Sequence, residues 1–238
     1  MTTRRIMEAT PLADFGPALE GSEDPIAFGV GYDGAVYAVA RRPSTEGLSE
    51  EDGAARFPKS MLVDPTDYVV VRSRGGALRT VEVPGIPVVI SFVQPYPGGL
   101  LLAGARCYWR PEGSEKNARV VDGNGRVERA FTIGDGVQDV RATPEGDLWV
   151  SYFDEGVFGN YGWRPPDPEP IGAPGLVGFD LQGLVRFAYD PAASRTIAAR
   201  RSTDRWSTGV AEACFSSRTA GRSSCLAGDS MGPGPSSA

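Results

Sequence analysis

The residues best suited to chemistry lie in the stretch TPEGDLWVSYFDEGVFGNYGW, at 143–163. Its second half holds five polar or aromatic side chains that could contact a ligand: Asp154, Glu155, Asn160, Tyr161 and Trp163. Aromatic rings beside carboxylates can stack on a sugar or hold a basic or proline-rich peptide. We therefore predict a binding loop at 154–163. The alternative is a loop that folds over a sheet edge and uses its rings as a small core of its own.

Histidine is absent from the sequence. This excludes the Ser-His-Asp and Cys-His nucleophile systems, the HExxH zinc sites and imidazole bases. The cysteines, at 107, 214 and 225, are too widely spaced for a CxxC metal pair. We assign no catalytic residue and no cofactor, and the chemistry that remains would depend on carboxylates, Tyr, Lys, Arg or backbone groups.

Two glycine-rich motifs fail as ligand sites. The stretch GVGYDG at 29–34 matches the dinucleotide pattern GxGxxG, but a strand-like AVYAVA follows it where that site needs a helix. The stretch DGNGRVERAFTI at 122–133 has Arg126 and Ile133 at positions where a calcium loop needs ligands. Both motifs predict turns. The acidic run at 46–59 predicts a solvated loop.

The elements that must position these residues form a repeat. A turn glycine followed by a short apolar strand occurs three times, at 31–40, 95–105 and 143–153. A predicted hairpin around a glycine turn follows each of them, at 68–83, 118–133 and 176–189. The hairpins carry the β-branched and aromatic residues that suit a half-buried sheet. Their turn glycines, Gly76, Gly125 and Gly183, supply positive φ.

Two strands followed by a hairpin make one four-stranded antiparallel sheet per repeat, which is the unit of a β-propeller. We predict an all-β, β-propeller-like fold with three recognisable blades, at about 25–84, 88–134 and 137–190. Closed propellers usually have at least about four blades. The pattern therefore predicts a partial propeller.

Two of these segments resemble a known repeat. The stretches VQDVRATPEGDLWVSYFDEGVFG and VDGNGRVERAFTI are similar to the repeats of NHL-type and two-component-regulator-type β-propellers. The resemblance covers about 25–190. It implies a scaffold that binds a partner protein or a small molecule at the mouth of the channel, and it does not select a ligand.

Two functions follow as hypotheses. The first is a non-enzymatic binding or interaction module that uses loop 154–163. The second is a metal-assisted hydrolase similar to lactonase-type propellers, with Asp139 on the innermost strand as a metal ligand or base. Such sites need several converging carboxylate and amide ligands, and the sequence supplies this one acid for the channel. The alternative for Asp139 is a hydrogen-bonded structural role.

The two ends of the sequence depart from the repeat. Residues 1–24 contain RIMEATPLADF, which resembles an outer strand that could close a ring of blades. Residues 191–238 are rich in Ser, Ala, Gly and Arg and show no strand pattern. They predict a poorly ordered tail, a reading frame that has shifted, or a truncated propeller.

Charge and hydropathy restrict the partners. The formal net charge is −6, which disfavours nucleic acid. No stretch approaches the roughly 20 apolar residues of a membrane span, and the N-terminal stretch lacks a signal-peptide core. We expect a cytoplasmic protein that binds an unidentified protein or small molecule.

Overall fold

A computed structural model describes residues 12–52 and 55–190. The predicted 191–238 tail and residues 1–11 of the N-terminal segment lie outside these residues. The described elements, in chain order, are a 3-10 turn (Gly16–Ala18), β1 (Ala27–Val30), β2 (Val36–Arg41), β3 (Ser49–Asp52), β4 (Ala55–Pro58), β5 (Met61–Arg74), β6 (Ala77–Val88), β7 (Phe92–Tyr96), β8 (Gly99–Ala103), β9 (Trp109–Arg110), β10 (Gly113–Ser114), β11 (Ala118–Asp122), β12 (Val127–Phe131), β13 (Val137–Ala142), β14 (Leu148–Tyr152), α1 (Asp154–Phe158), β15 (Leu176–Phe179) and β16 (Val185–Ala188).

The large strands form three antiparallel sheets of four strands each. The first sheet has the order β1-β2-β5-β6, the second β7-β8-β11-β12 and the third β13-β14-β15-β16. The prediction of an all-β fold is confirmed. The predicted turn glycines are also confirmed, because Gly76, Gly125 and Gly183 have φ of 82°, 82° and 80°.

The sheets stack through apolar side chains that alternate along each strand. In β8, Leu100 and Leu102 join the core between the first and second sheets. Leu101 and Ala103, which point the other way, join the core between the second and third sheets. This alternation follows from the two-residue period of a strand. The second sheet is therefore buried on both faces.

The first strands of the three sheets are neighbours. Strand β7 lies beside β1 and also beside β13. A Cβ on Gly29 of β1 would lie 2.2 Å from the carbonyl oxygen of Val93 in β7, so this close approach requires glycine. On the other side, the Arg141 guanidinium of β13 donates to the carbonyl of Val30 at 3.4 Å.

The two outward faces of the stack differ. On the first sheet, Leu19 packs with Ala38, Ala40, Val69 and Val71 and covers that face. On the third sheet, the rings of Trp149 and Phe187 contact each other at 5.2 Å between centroids and stay partly exposed.

No helix in the described part of the chain is long and apolar enough to cross a membrane.

Candidate functional site

Each of the three sheets carries a long insertion between its second and third strands. The first insertion is 42–60, the second is 104–117 and the third is 153–175. Because each insertion leaves its sheet after the second strand, the three can meet at one end of the stack. We call the surface that they form the insertion face.

Hydrogen bonds join the three insertions. The Tyr161 hydroxyl of the third donates to the Pro58 carbonyl of the first at 3.0 Å. The main-chain N–H of Trp109 in the second donates to the Tyr161 carbonyl at 2.9 Å. The Trp163 indole N–H donates to the Cys107 carbonyl at 2.8 Å. The third insertion is therefore tied to both of the others.

The first insertion contains a hairpin where the sequence predicts a solvated loop. Strands β3 and β4 pair within it, and Glu46 fixes its base. The Glu46 carboxylate accepts from the Lys59 ammonium at 2.7 Å and from the N–H groups of Val63 and Asp64 at 3.2 and 3.1 Å. These hydrogen bonds lower the pKa of Glu46 to about 2, and the one from Lys59 has the largest effect. The hydrogen bonds of Glu46 therefore order this segment. The acidic composition of the segment does not reveal these bonds.

The predicted binding loop begins as a helix. Residues Asp154–Phe158 form α1, and Gly159 ends it with φ of 95°. Asp154 and Glu155 lie in its first turn, where the helix N-terminus favours negative charge. The Asp154 carboxylate accepts from the N–H of Glu155 at 2.9 Å.

Arg106 lies at the centre of the contact between the second and third insertions. Its guanidinium donates to the buried Asp135 carboxylate at 3.0 Å and also pairs with Glu155. Its Cζ lies 4.0 Å from the ring centroid of Tyr161 and 5.6 Å from that of Phe153. Two carboxylates and two rings thus hold one buried cation.

The aromatic stack continues beyond Arg106. The ring of Tyr161 lies 4.3 Å from that of Tyr108, centroid to centroid. The Arg110 guanidinium then lies 4.8 Å from the Tyr108 ring and pairs with Glu115 at 2.9 Å. Two stacked tyrosines therefore lie between two arginines along the contact between the two insertions.

Burial sets the protonation of the acids around Arg106. Burial raises the pKa of Asp135 to about 6, although Arg106 and the N–H groups of Cys107 and Gly136 oppose the shift. Burial also disfavours ionised Glu155, but hydrogen bonds from Arg106 and Asn160 outweigh it and lower the pKa. Glu155 is thus the carboxylate that stays charged beside Arg106 in mildly acidic solution.

The five predicted ligand residues have different surroundings. Trp163 is 7% exposed, and its indole N–H donates to the Cys107 carbonyl of the second insertion. Glu155 and Tyr161 are partly buried against Arg106. Asp154 and Asn160 are exposed. The loop also exposes Phe158 to 75%, a residue outside the predicted set.

Asp139 lies on β13, the first strand of the third sheet. Its carboxylate accepts from the Arg141 guanidinium at 2.9 Å, and both side chains are largely in solvent. Among the residues that the structure describes, no three His, Cys, Asp or Glu side chains are grouped so as to hold a metal ion. The observed partner of Asp139 is the cation of Arg141. This contact agrees with the alternative of a hydrogen-bonded structural role for Asp139.

Sequence reasoning missed Arg106 and Asp135. The sequence contained one signal for Arg106. Arg106 lies eight residues after its aligned turn glycine, Gly98, and Asp154 lies eight residues after Gly146. The repeat therefore marks both as the start of an insertion. Their meeting in space depends on how the sheets stack, which the alignment does not contain.

Burial makes the Cys107 thiol a poor nucleophile. Burial, together with the carboxylates of Glu115 and Asp135, raises the pKa of this thiol well above its usual range. A thiolate is the reactive form of cysteine. Cys107 instead contributes its main-chain N–H to Asp135 at 2.9 Å and its carbonyl to Trp163.

Comparisons with protein-family models, with curated proteins and with solved structures found no match.

Proposed function

We propose that this protein is a non-enzymatic binding scaffold of the β-propeller type, similar to NHL and two-component-regulator repeats, that holds a partner on its insertion face. Three four-stranded sheets with adjacent first strands support the propeller part of the proposal. The convergence of all three insertions at Tyr161 is the observation that carries the binding part. Loops fixed on a rigid scaffold are where binding residues concentrate.

The charge of the third insertion favours a cationic partner. It holds four acids and one arginine. Three of the acids, Asp154, Asp167 and Glu169, are exposed, and no described cation pairs with them. Phe158 adds an exposed apolar ring beside Asp154. Carboxylates around an aromatic anchor suit an extended peptide segment that contains Lys or Arg.

The rigid part of the site supports this partner class. Arg106 pairs with both Glu155 and Asp135, so Asp154 is the acid of α1 that has no described cation beside it. The rings of Tyr161 and Tyr108 are fixed by their own contacts before any ligand binds. Preorganised side chains lose little freedom on binding, which favours affinity.

The surroundings of Asp139 favour the scaffold over the lactonase-like hydrolase. A metal-bound acid needs further oxygen or nitrogen ligands beside it. The Asp139 carboxylate pairs with the Arg141 guanidinium, whose positive charge would repel a metal ion.

Selection from a library of short random peptides tests the proposal. We expect enrichment of sequences that combine Lys or Arg with an aromatic or proline residue. Selection on the D154N/F158A variant should lose that enrichment, and selection on the E145Q/L184A variant, which changes an exposed acid and an exposed apolar residue in other turns, should keep it. Enrichment of acidic peptides, or equal enrichment on both variants, would contradict the proposal.

A further inference from the structure

Three arginines in the described part of the chain are less than a tenth exposed: Arg41, Arg106 and Arg119. A buried cation is costly unless an anion compensates for the lost hydration. Arg41 has Glu23, and Arg106 has Asp135 and Glu155. Arg119 has no carboxylate partner among the described residues.

Arg119 is held by main-chain carbonyls instead. Its Nη1 donates to the carbonyl of Ala118 at 3.1 Å and also to the carbonyl of Lys116. Burial lowers the pKa of this guanidinium, and no acid raises it again. The side chain is therefore fixed through one nitrogen while its charge is uncompensated.

The opposite edge of the Arg119 guanidinium makes no hydrogen bond to a described residue. This edge consists of Nε and Nη2, which together can grip two oxygens of one oxyanion. Arg41 uses this edge for Glu23, at 2.8 Å from each nitrogen, and Arg42 uses it for Glu82. In Arg119 neither nitrogen has a described partner.

This edge belongs to a side chain that is largely withdrawn from water, since Arg119 is 8% exposed. A buried guanidinium edge that has no described anion beside it favours a ligand that supplies the missing negative charge.

Arg119 lies on the face of β11 that is directed at the core between two sheets. Arg119 is on β11, opposite Leu102 of β8. Leu102 and the following β11 residue on the same face, Val121, belong to the core between the first and second sheets. Arg119 is the second residue of β11, directly after the second insertion, so it lies at the end of the sheets that carries the insertions.

We infer that the Nε and Nη2 edge of Arg119 is the recognition group of an oxyanion site that takes a carboxylate group in a bidentate pair. The low polarity beside Leu102 and Val121 strengthens such a pair, and the two main-chain carbonyls keep the fork in place. This site is separate from the acidic surface of the third insertion and does not depend on the proposed function.

The test uses the intact protein labelled with ¹⁵N and follows the arginine Nε–H signals by NMR. Acetate and succinate supply the carboxylate, inorganic phosphate supplies a tetrahedral oxyanion, and chloride controls for ionic strength. We expect a saturable shift of the Arg119 signal with carboxylate, slower exchange of its Nε proton, and no saturable shift with chloride. Saturation by phosphate and not by carboxylate would overturn the assignment of ligand class.

The variant R119K keeps the charge and removes the fork. Its affinity for succinate, measured by calorimetry, should fall about tenfold, a loss typical of one good bidentate contact. The variant R126K changes an exposed turn arginine and should leave the affinity unchanged. If the wild-type Arg119 signal does not saturate with either oxyanion, Arg119 binds water alone and the inference is wrong.

Discussion

The indole N–H of Trp163 donates to the carbonyl of Cys107 at 2.8 Å and so fastens the third insertion to the second. Cys107 in turn donates its N–H to Asp135, which also binds the Arg106 guanidinium. A residue that sequence reasoning placed on a ligand surface is thus an internal anchor of the loop. The exposed residues Asp154 and Phe158 depend on that anchor for their position.

Replacing Trp163 should destabilise the protein. W163F leaves the Cys107 carbonyl without its donor, at a cost of about 1–3 kcal/mol. W163A also opens a cavity and should cost about 3–5 kcal/mol. Urea unfolding followed by tyrosine and tryptophan fluorescence measures both. Equal stability of W163A and wild type would show that the loop does not depend on this ring.

Arg106 should be among the most sensitive residues of the insertion face. R106Q leaves Asp135 buried without its cation, and loss of one partner of a buried pair costs about 3–5 kcal/mol. The double variant R106M/D135N should recover part of the loss, because the buried carboxylate is then gone and the Glu155 carboxylate, which also loses Arg106, is 39% exposed. R56A breaks the exposed pair with Glu51 and serves as the control, with a cost of about 0–1 kcal/mol. A single R106Q variant as stable as R56A would contradict this assignment.

Glu46 should make stability depend on pH in the acid range. Its pKa is lowered from 4.5 to about 2 in the folded protein. A lowered pKa gives stability that is complete above the unfolded value and disappears as the pH falls through the folded value. Melting temperatures of wild type and E46Q should therefore differ at pH 7 and converge as the pH falls from about 4.5 to 2. A constant difference across that range would exclude the ionised carboxylate as the cause.

The turn at Gly125 should tolerate no side chain. Its φ is 82°, and a Cβ would lie 1.7 Å from the carbonyl oxygen of Glu82 in the first sheet. Gly75 also has a positive φ, 57°, but nothing lies near its Cβ position. G75A should cost about 1–2 kcal/mol from backbone conformation alone. G125A should cost clearly more, because it also forces the first and second sheets apart. Chemical unfolding measures the free energy of unfolding of both variants. Similar decreases for G75A and G125A would mean that the sheets accommodate the methyl group.

The strands and turns were readable from the sequence because they depend on local rules. The apolar run LLLA at 100–103 predicts a short strand, and the glycine at 125 predicts a turn with positive φ. The helix Asp154–Phe158 was missed because five residues are too few to show a helical period. The hairpin of the first insertion was missed because Glu46 and Lys59 pair across thirteen residues.

The candidate site was only partly readable for a different reason. Composition identified the third insertion as acidic and aromatic. The structure exposes acids on this insertion, as a charged surface requires. It could not show that Trp163 turns inward or that Arg106 crosses from another insertion to meet Glu155. Those contacts join residues about fifty positions apart in sequence, so they follow from the stacking of the sheets.

The most direct test of the binding proposal is the affinity of a selected cationic peptide for paired variants, measured by calorimetry. Wild type and E145Q/L184A should bind alike, and D154N/F158A should bind at least about tenfold more weakly, since an aromatic anchor and a neighbouring charge each contribute on the order of 1 kcal/mol or more. Higher salt should weaken wild-type binding more than that of D154N/F158A. Equal affinity of all three proteins would show that the partner does not bind at α1, and the insertion face would then not be the binding surface.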